Sequence, residues 1–172
     1  HGFWQTDKYF KKYRDDITQE FSLKEESKRV EEYRNKYSKI ESVAVHIRRG
    51  DYLRINGCIS MDFYEKAIAY INEKKSDCHF VFFSDDIEWV KSAFSNMENA
   101  TFFDDKTDMT DLEEFFIMSS CKNQIIANSS FSWWAAYLNQ NPQKIVIAPE
   151  IGKWSGDFYP EEWKKLTADK LH

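Results

Sequence analysis

Along the first forty residues the apolar positions recur at helical spacing, Tyr9, Phe10, Tyr13 and Ile17 and then Val30, Tyr33 and Tyr37. Residues from about 5 to 38 therefore read as two charged amphipathic helices, a lead-in segment over 1–40. After Lys39 the pattern changes to short β-branched or aromatic runs: Val43–Ile47, Phe80–Phe83, Thr101–Phe103, Gln124–Ala127 and Lys144–Ala148. Their continuous apolarity fits strands covered on both faces, as in a parallel sheet. Helical stretches near 62–75, 86–95, 110–120 and 131–140 separate them. In the first of these Phe63, Ala67, Ile68 and Ile71 share a face, and Asp62 with Glu65 resembles a capping box; Thr110 with Glu113 matches that box more strictly. Strand and helix alternating four times predict an α/β domain over 41–172, a Rossmann-like parallel sheet flanked by helices.

Composition narrows the function classes. The 172 residues suffice for one core, and 24 Lys and Arg scattered among 29 Asp and Glu form no basic face for a nucleic acid. No apolar run is long enough to span a bilayer. Cys58, Cys78 and Cys121 show no C-x-x-C pairing, which argues against a zinc site or disulfide framework and for a reducing compartment. The sequons at Asn99 and Asn128 read as chance matches, the second beside a buried strand.

Ligands of open α/β sheets bind beyond the carboxyl ends of the strands, so the residues leaving each run carry the chemistry. The first exit, His46-Ile47-Arg48-Arg49-Gly50-Asp51-Tyr52, opens a seven-residue window, Arg48 to Arg54, holding three of the chain's six arginines. Guanidinium forks match phosphate oxygens, and glycine lets backbone approach a ligand, so a diphosphate site is one reading; a solvated turn or structural ion pairs are the other. At the second exit, Ser84-Asp85-Asp86, Asp85 could accept hydrogen bonds from guanine, whereas Asp86 or Ser84 could cap the next helix. The fourth exit, Asn128-Ser129-Ser130-Phe131, offers hydroxyls and free N–H groups at a helix N-terminus, a ready anion site. Trp133 and Trp134 read as core, as does His79. The acidic stretch from Asp104 to Glu114 reads as a solvated loop entering a helix and not as a metal site.

In combination and order these motifs resemble the α-1,2-fucosyltransferases, a family similar to glycosyltransferase family 11. The resemblance runs from Gly2-Phe3-Trp4-Gln5 through the His46–Tyr52 motif, Phe83–Asp86, Met118–Cys121, Ala127–Leu138 and Pro149–Trp163. It implies the C-terminal half of a GT-B enzyme, with Arg48 and Arg49 on the diphosphate of GDP-fucose, His46 and Asp51 lining the donor site, Asp85 reading guanine, and Ser129, Ser130 and Phe131 holding phosphate. The implied reaction is inverting transfer of L-fucose to a galactose hydroxyl of a glycan acceptor, without metal or other cofactor, with Asp51 the one candidate base. The family's glycine-rich opening segment is not found here, so an N-terminal domain is expected to be missing and this fragment alone to be inactive. A cytoplasmic bacterial enzyme, peripheral to the membrane, is the implied setting. A non-catalytic nucleotide-binding module of Rossmann type is the rival reading, because this architecture hosts many functions.

Overall fold

The computed structural model describes residues 6–104, 109–152 and 157–170. Six strands form one sheet, β1 Ser42–Ile47, β2 His79–Ser84, β3 Ala100–Phe102, β4 Asn123–Ile125, β5 Val146–Glu150 and β6 Lys164–Thr167. They run in the order β3-β2-β1-β4-β5-β6, and every pairing is parallel. Helices α1 Arg14–Glu20 and α2 Lys28–Lys39 precede the sheet; α3 Gly50–Arg54 and α4 Met61–Lys74 connect β1 to β2, and α5 Ile87–Ala93, α6 Asp111–Ser120 and α7 Ser130–Leu138 make the next three crossovers.

Strand alternation sorts the core into two layers. Val43, Val45, Phe80 and Phe82 point to one face, with Phe63, Ala67 and Ile71 of α4 and Val90 of α5. Ala44, Val81 and Phe83 point to the other, with Val30 and Tyr37 of α2, Ile117 and Met118 of α6 and Trp133 of α7. Burial on both faces is why β1 and β2 are mostly apolar, with Ser42, His46 and Ser84 as buried polar residues near their ends. Phe80 and Phe82 are fully buried, so truncating either to Ala would cost about 3–5 kcal/mol.

Several expectations are corrected. The sheet has a sixth strand, Lys164–Thr167, which is short, half exposed and lysine-bearing; such a polar edge strand has no apolar run to reveal it. The strand expected from Lys144 begins at Val146, because the Lys144 ammonium turns back to the carbonyls of Ala136 and Asn139, at 2.7 Å each. Ser60, not Asp62, is the N-cap residue of α4, and Asp62 pairs instead with Lys66 one turn on, at 2.6 Å. The Thr110–Glu113 capping box is present as expected.

The lead-in packs into the same body. Trp134 lies between Phe10 and Phe21, stacked at 5.3 and 5.6 Å, and Trp133 donates its indole N–H to the Phe158 carbonyl at 2.9 Å. Cys58, Cys78 and Cys121 are buried free thiols. Both sequon asparagines hold backbone carbonyls through Nδ2, Asn99 that of Cys78 at 2.8 Å and Asn128 that of Gly57 at 2.9 Å. Among the described residues no helix is long and apolar enough to cross a membrane.

Candidate active site

The strand order reverses direction between β1 and β4, and the loops that leave these two strands part there. One loop carries the arginines and starts α3; the other carries Ser129 and starts α7. Between them and the exit of β2 lies a cavity of about 570 Å³ lined by His46, Arg48, Asp51, Tyr52, Ser84, Asp85, Ser129, Ser130 and Phe131, with Phe103, Met109, Asp111 and Glu114 closing the far side. Its volume is that of a site for a small ligand.

His46, the residue before the last of β1, lies on the layer facing α7, 3% exposed, its ring 5.7 Å from that of Phe131. Burial pushes its pKa down to about 4, outweighing the nearby Asp85 carboxylate, while Arg48 adds to the depression. The imidazole is therefore neutral at pH 7, and its buried Nδ1 has no hydrogen-bond partner among the described residues. A neutral imidazole can donate or accept without adding charge.

The two arginines diverge. Arg48 lines the cavity with its side chain 34% exposed; its Nε donates to Asp51 Oδ1 at 3.0 Å, its Nη2 lies 2.9 Å from the same oxygen, and Asp85 Oδ2 is 3.3 Å away. Arg49 turns to the β2 side. There its Nε donates to Asp86 Oδ2 at 3.0 Å and its guanidinium lies 3.6 Å from the centre of the Trp89 ring, leaving the side chain 12% exposed. Arg49 is not among the cavity-lining side chains.

Asp85 sits beneath the loop. It accepts the Arg49 backbone N–H at 2.9 Å, and a Cβ added at Gly50 would collide with its carboxylate. A side chain at position 50 would displace the Asp85 carboxylate and with it the bond to the Arg49 N–H. Asp86 occupies the N-cap position of α5 without a side-chain cap bond, its carboxylate being engaged by Arg49. Ser84 accepts the Asp86 N–H at 3.0 Å.

Across the cavity Ser129 caps α7, its Oγ accepting the Phe131 N–H at 3.3 Å, and Ser130 is exposed at the first position of the helix. Ser129, Ser130 and Phe131 line the same cavity as Arg48. Tyr52 ties the two loops together by donating to the Asn128 carbonyl at 3.3 Å. A cation and a helix N-terminus opposed across a cleft form an anion-binding arrangement.

The expected residues His46, Arg48, Asp51, Asp85, Ser129, Ser130 and Phe131 thus meet at one cavity, and Arg49 stands behind it. Sequence reasoning missed Asp111 and Glu114 as lining groups, because acidic residues in a first helical turn are explained by the helix dipole alone. Asp104 pairs with Lys91, and Asp105 to Asp108 lie outside the described residues, as do Gly2 to Gln5. Among the described residues no group of three His, Cys, Asp or Glu side chains is placed to hold a metal ion. His79 lies at the opposite end of the sheet, bonded to the Thr101 hydroxyl at 2.8 Å.

The sequence model of glycosyl transferase family 11 matches residues 1–165. The O-antigen biosynthesis glycosyltransferase WbnK of Escherichia coli is 40% identical over 74% of this chain and 43% of its own length. The alpha-1,2-colitosyltransferase of Escherichia coli is 35% identical over 96% of this chain and 61% of its own. Human galactoside alpha-(1,2)-fucosyltransferase 1 is 28% identical over 74% and 39%. The chain therefore spans about 43–61% of the length of the two bacterial relatives. Among solved structures, POFUT1 in complex with GDP superposes with a TM-score of 0.51 at 15% identity, covering 71% of this chain and 46% of that one, a likeness of fold.

Proposed function

The chain belongs to glycosyl transferase family 11, and from that membership we propose that its cavity holds the diphosphate of a GDP-linked deoxy sugar for inverting transfer to a galactose hydroxyl in α-1,2 linkage. The observation that carries this reading is the opposition of Arg48 and the α7 N-terminus across one cavity at the topological switch point. As the sugar leaves, negative charge grows on the departing phosphate oxygen. A preorganised guanidinium aimed there lowers the barrier by on the order of 3–4 kcal/mol, and no ion is then needed.

Roles follow from position. Arg48 exchanges its contacts with Asp51 and Asp85 for phosphate oxygens, the α7 N-terminus with Ser129 and Ser130 takes the other side of the diphosphate, and neutral His46 contacts the donor without repelling Arg48. Asp85 and Arg49 hold the loop, which supports assigning the guanine edge to the acidic pair Asp111 and Glu114 in preference to Asp85. Asp51 is the candidate base, its carboxylate released when Arg48 turns to the phosphate oxygens. The acceptor is proposed to bind mainly to a part of the enzyme that this chain does not span, so the chain alone should bind donor and transfer nothing measurable.

Two related donors deserve separation, since the relative matched over 96% of this chain is a colitosyltransferase and a more distant one a fucosyltransferase. Thermal unfolding with GDP, GDP-fucose, GDP-colitose, NAD, ATP and FMN tests the reading. A ligand at a hundred times its Kd adds about 2.7 kcal/mol of stability. Stabilisation by the GDP compounds alone is the expected result; equal response to NAD or ATP would favour a general nucleotide-binding module, and a well-folded sample blind to GDP would remove the donor site.

A further inference from the structure

The last paired residues of β1 and β4 are Val45 and Ile125. Past them, the loop after β1 brings Arg48 to the donor cavity and the loop after β4 brings Ser129 and Ser130. Among the described residues two side-chain hydrogen bonds join these loops, and both end on Asn128. Its backbone carbonyl accepts the Tyr52 hydroxyl at 3.3 Å, and its Nδ2 donates to the Gly57 carbonyl at 2.9 Å. The Gly57 N–H donates in turn to the Tyr52 carbonyl at 2.8 Å. Three bonds thus close a ring through Tyr52, Gly57 and Asn128. A Cβ at Gly57 would lie 3.1 Å from Tyr52 Cδ1, so the phenol ring packs directly on the turn.

Each end of this cross-link adjoins a group that reaches the cavity. The Arg48 guanidinium carbon lies 5.8 Å from the centre of the Tyr52 ring, inside the cation–π range of about 6 Å. Burial raises the pKa of the Tyr52 phenol, so the hydroxyl keeps its proton and remains a donor. On the other loop Asn128 immediately precedes Ser129, the residue that caps α7 by accepting the Phe131 N–H. Asn128 itself is half-buried and is not among the cavity-lining residues. A diphosphate gains from both sides of the cavity only when their separation matches the span of its two phosphates, because hydrogen bonds weaken within a few tenths of an ångström. A monophosphate satisfies itself on one side, whatever the separation.

We propose that Asn128 is a positioning residue: through Tyr52 and Gly57 it sets the separation between Arg48 and the start of α7, and with it the preference of the site for a diphosphate over a monophosphate. It acts from outside the cavity, by holding the groups that bind. The inference rests on the donor reading above, and adds to it the residue that fixes the distance between its two halves.

The test is calorimetric titration of the chain with GDP and with GMP, beside thermal unfolding of each sample. The parent is expected to bind GDP about tenfold more tightly than GMP. Asn128→Ala, which removes Nδ2 and opens the ring, should weaken GDP about fivefold and GMP less than about twofold, so that the GDP-to-GMP ratio falls. Tyr52→Phe keeps the aromatic ring beside Arg48 and loses only the hydroxyl; it should shift the ratio the same way, and it carries the test alone where Asn128→Ala lowers the folded fraction. A parent blind to both nucleotides would remove the donor reading and this inference together. A parent that binds the two alike, or variants that leave the ratio unchanged while GDP still binds the parent, would overturn the role of Asn128 alone.

Discussion

Arg48 and Arg49 leave the same strand, carry the same charge and differ by one position, yet one lines the cavity and the other is wedged between Asp86 and Trp89 on the β2 side. Alternation along an extended chain sends neighbours to opposite faces, and the two faces here differ in what they offer. On the α7 side Arg48 pairs with Asp51 and Asp85 at the edge of an open cavity that the first residues of α7 also line. On the α5 side Arg49 meets a carboxylate and an indole within contact. Identical side chains therefore divide into one that lines the cavity and one packed behind it, and the distinction follows from what stands opposite each.

The largest effect expected from breaking this comparison is at Arg48. Arg48→Lys keeps the charge and loses the fork, so in a complete enzyme turnover should fall at least a hundredfold, about 3 kcal/mol, with the melting temperature near that of the parent. Steady-state rates alongside thermal unfolding check it, and a rate near the parent's would remove Arg48 from the reaction.

Next comes His46 on the cavity side. Its folded pKa of about 4 lies below the usual 6.5, so the unfolded chain binds the extra proton first. The stability it contributes is fully present above about pH 6.5 and is lost as pH falls toward 4, about 3 kcal/mol in all. Denaturant titrations at several pH values should show His46→Gln with a shallower loss over that window; an unchanged slope would mean that His46 is not the group responsible.

Arg49→Met should do the opposite of Arg48→Lys. Losing the Asp86 pair and the Trp89 contact should cost about 2 kcal/mol of stability, while the molecules that remain folded bind GDP within a fewfold of the parent. Calorimetric titration below the melting range separates the two quantities, and a binding loss as deep as that at Arg48 would erase the division. Smaller again, Ser129→Ala removes the α7 cap and should cost about 1 kcal/mol with a modest loss of GDP affinity, measurable by the same two methods. Smallest of all should be the response to a chelator. Turnover in a complete enzyme is expected to survive EDTA, and restoration of a lost rate by Mg²⁺ would instead call for a metal near the acidic side of the cavity.

Much of this was legible beforehand. Five strands and the four helices between them follow from apolar runs of the right length, because a strand covered on both faces must be apolar throughout. The strand exits then point to the cavity. Four things were not legible. The short α3 begins at Gly50, inside a motif read for its charges, and β6 is too polar and too brief to stand out. That Asp85 also braces the loop, through its bond to the Arg49 N–H and its closeness to Gly50, depends on how closely two loops approach. Asp111 and Glu114 were explained well enough by the dipole of their own helix that nothing drew attention to the cavity they line.

The amino-acid sequence by itself determined the α/β alternation, the family to which the chain belongs and the loops where its chemistry gathers, since periodicity, capping residues and motif order are properties of the linear chain. Only the tertiary structure decided which arginine meets the cavity and which carboxylate braces the loop. Those facts depend on what side chains distant in sequence bring within a few ångströms of one another, and hydrogen bonds and ion pairs act only at that range.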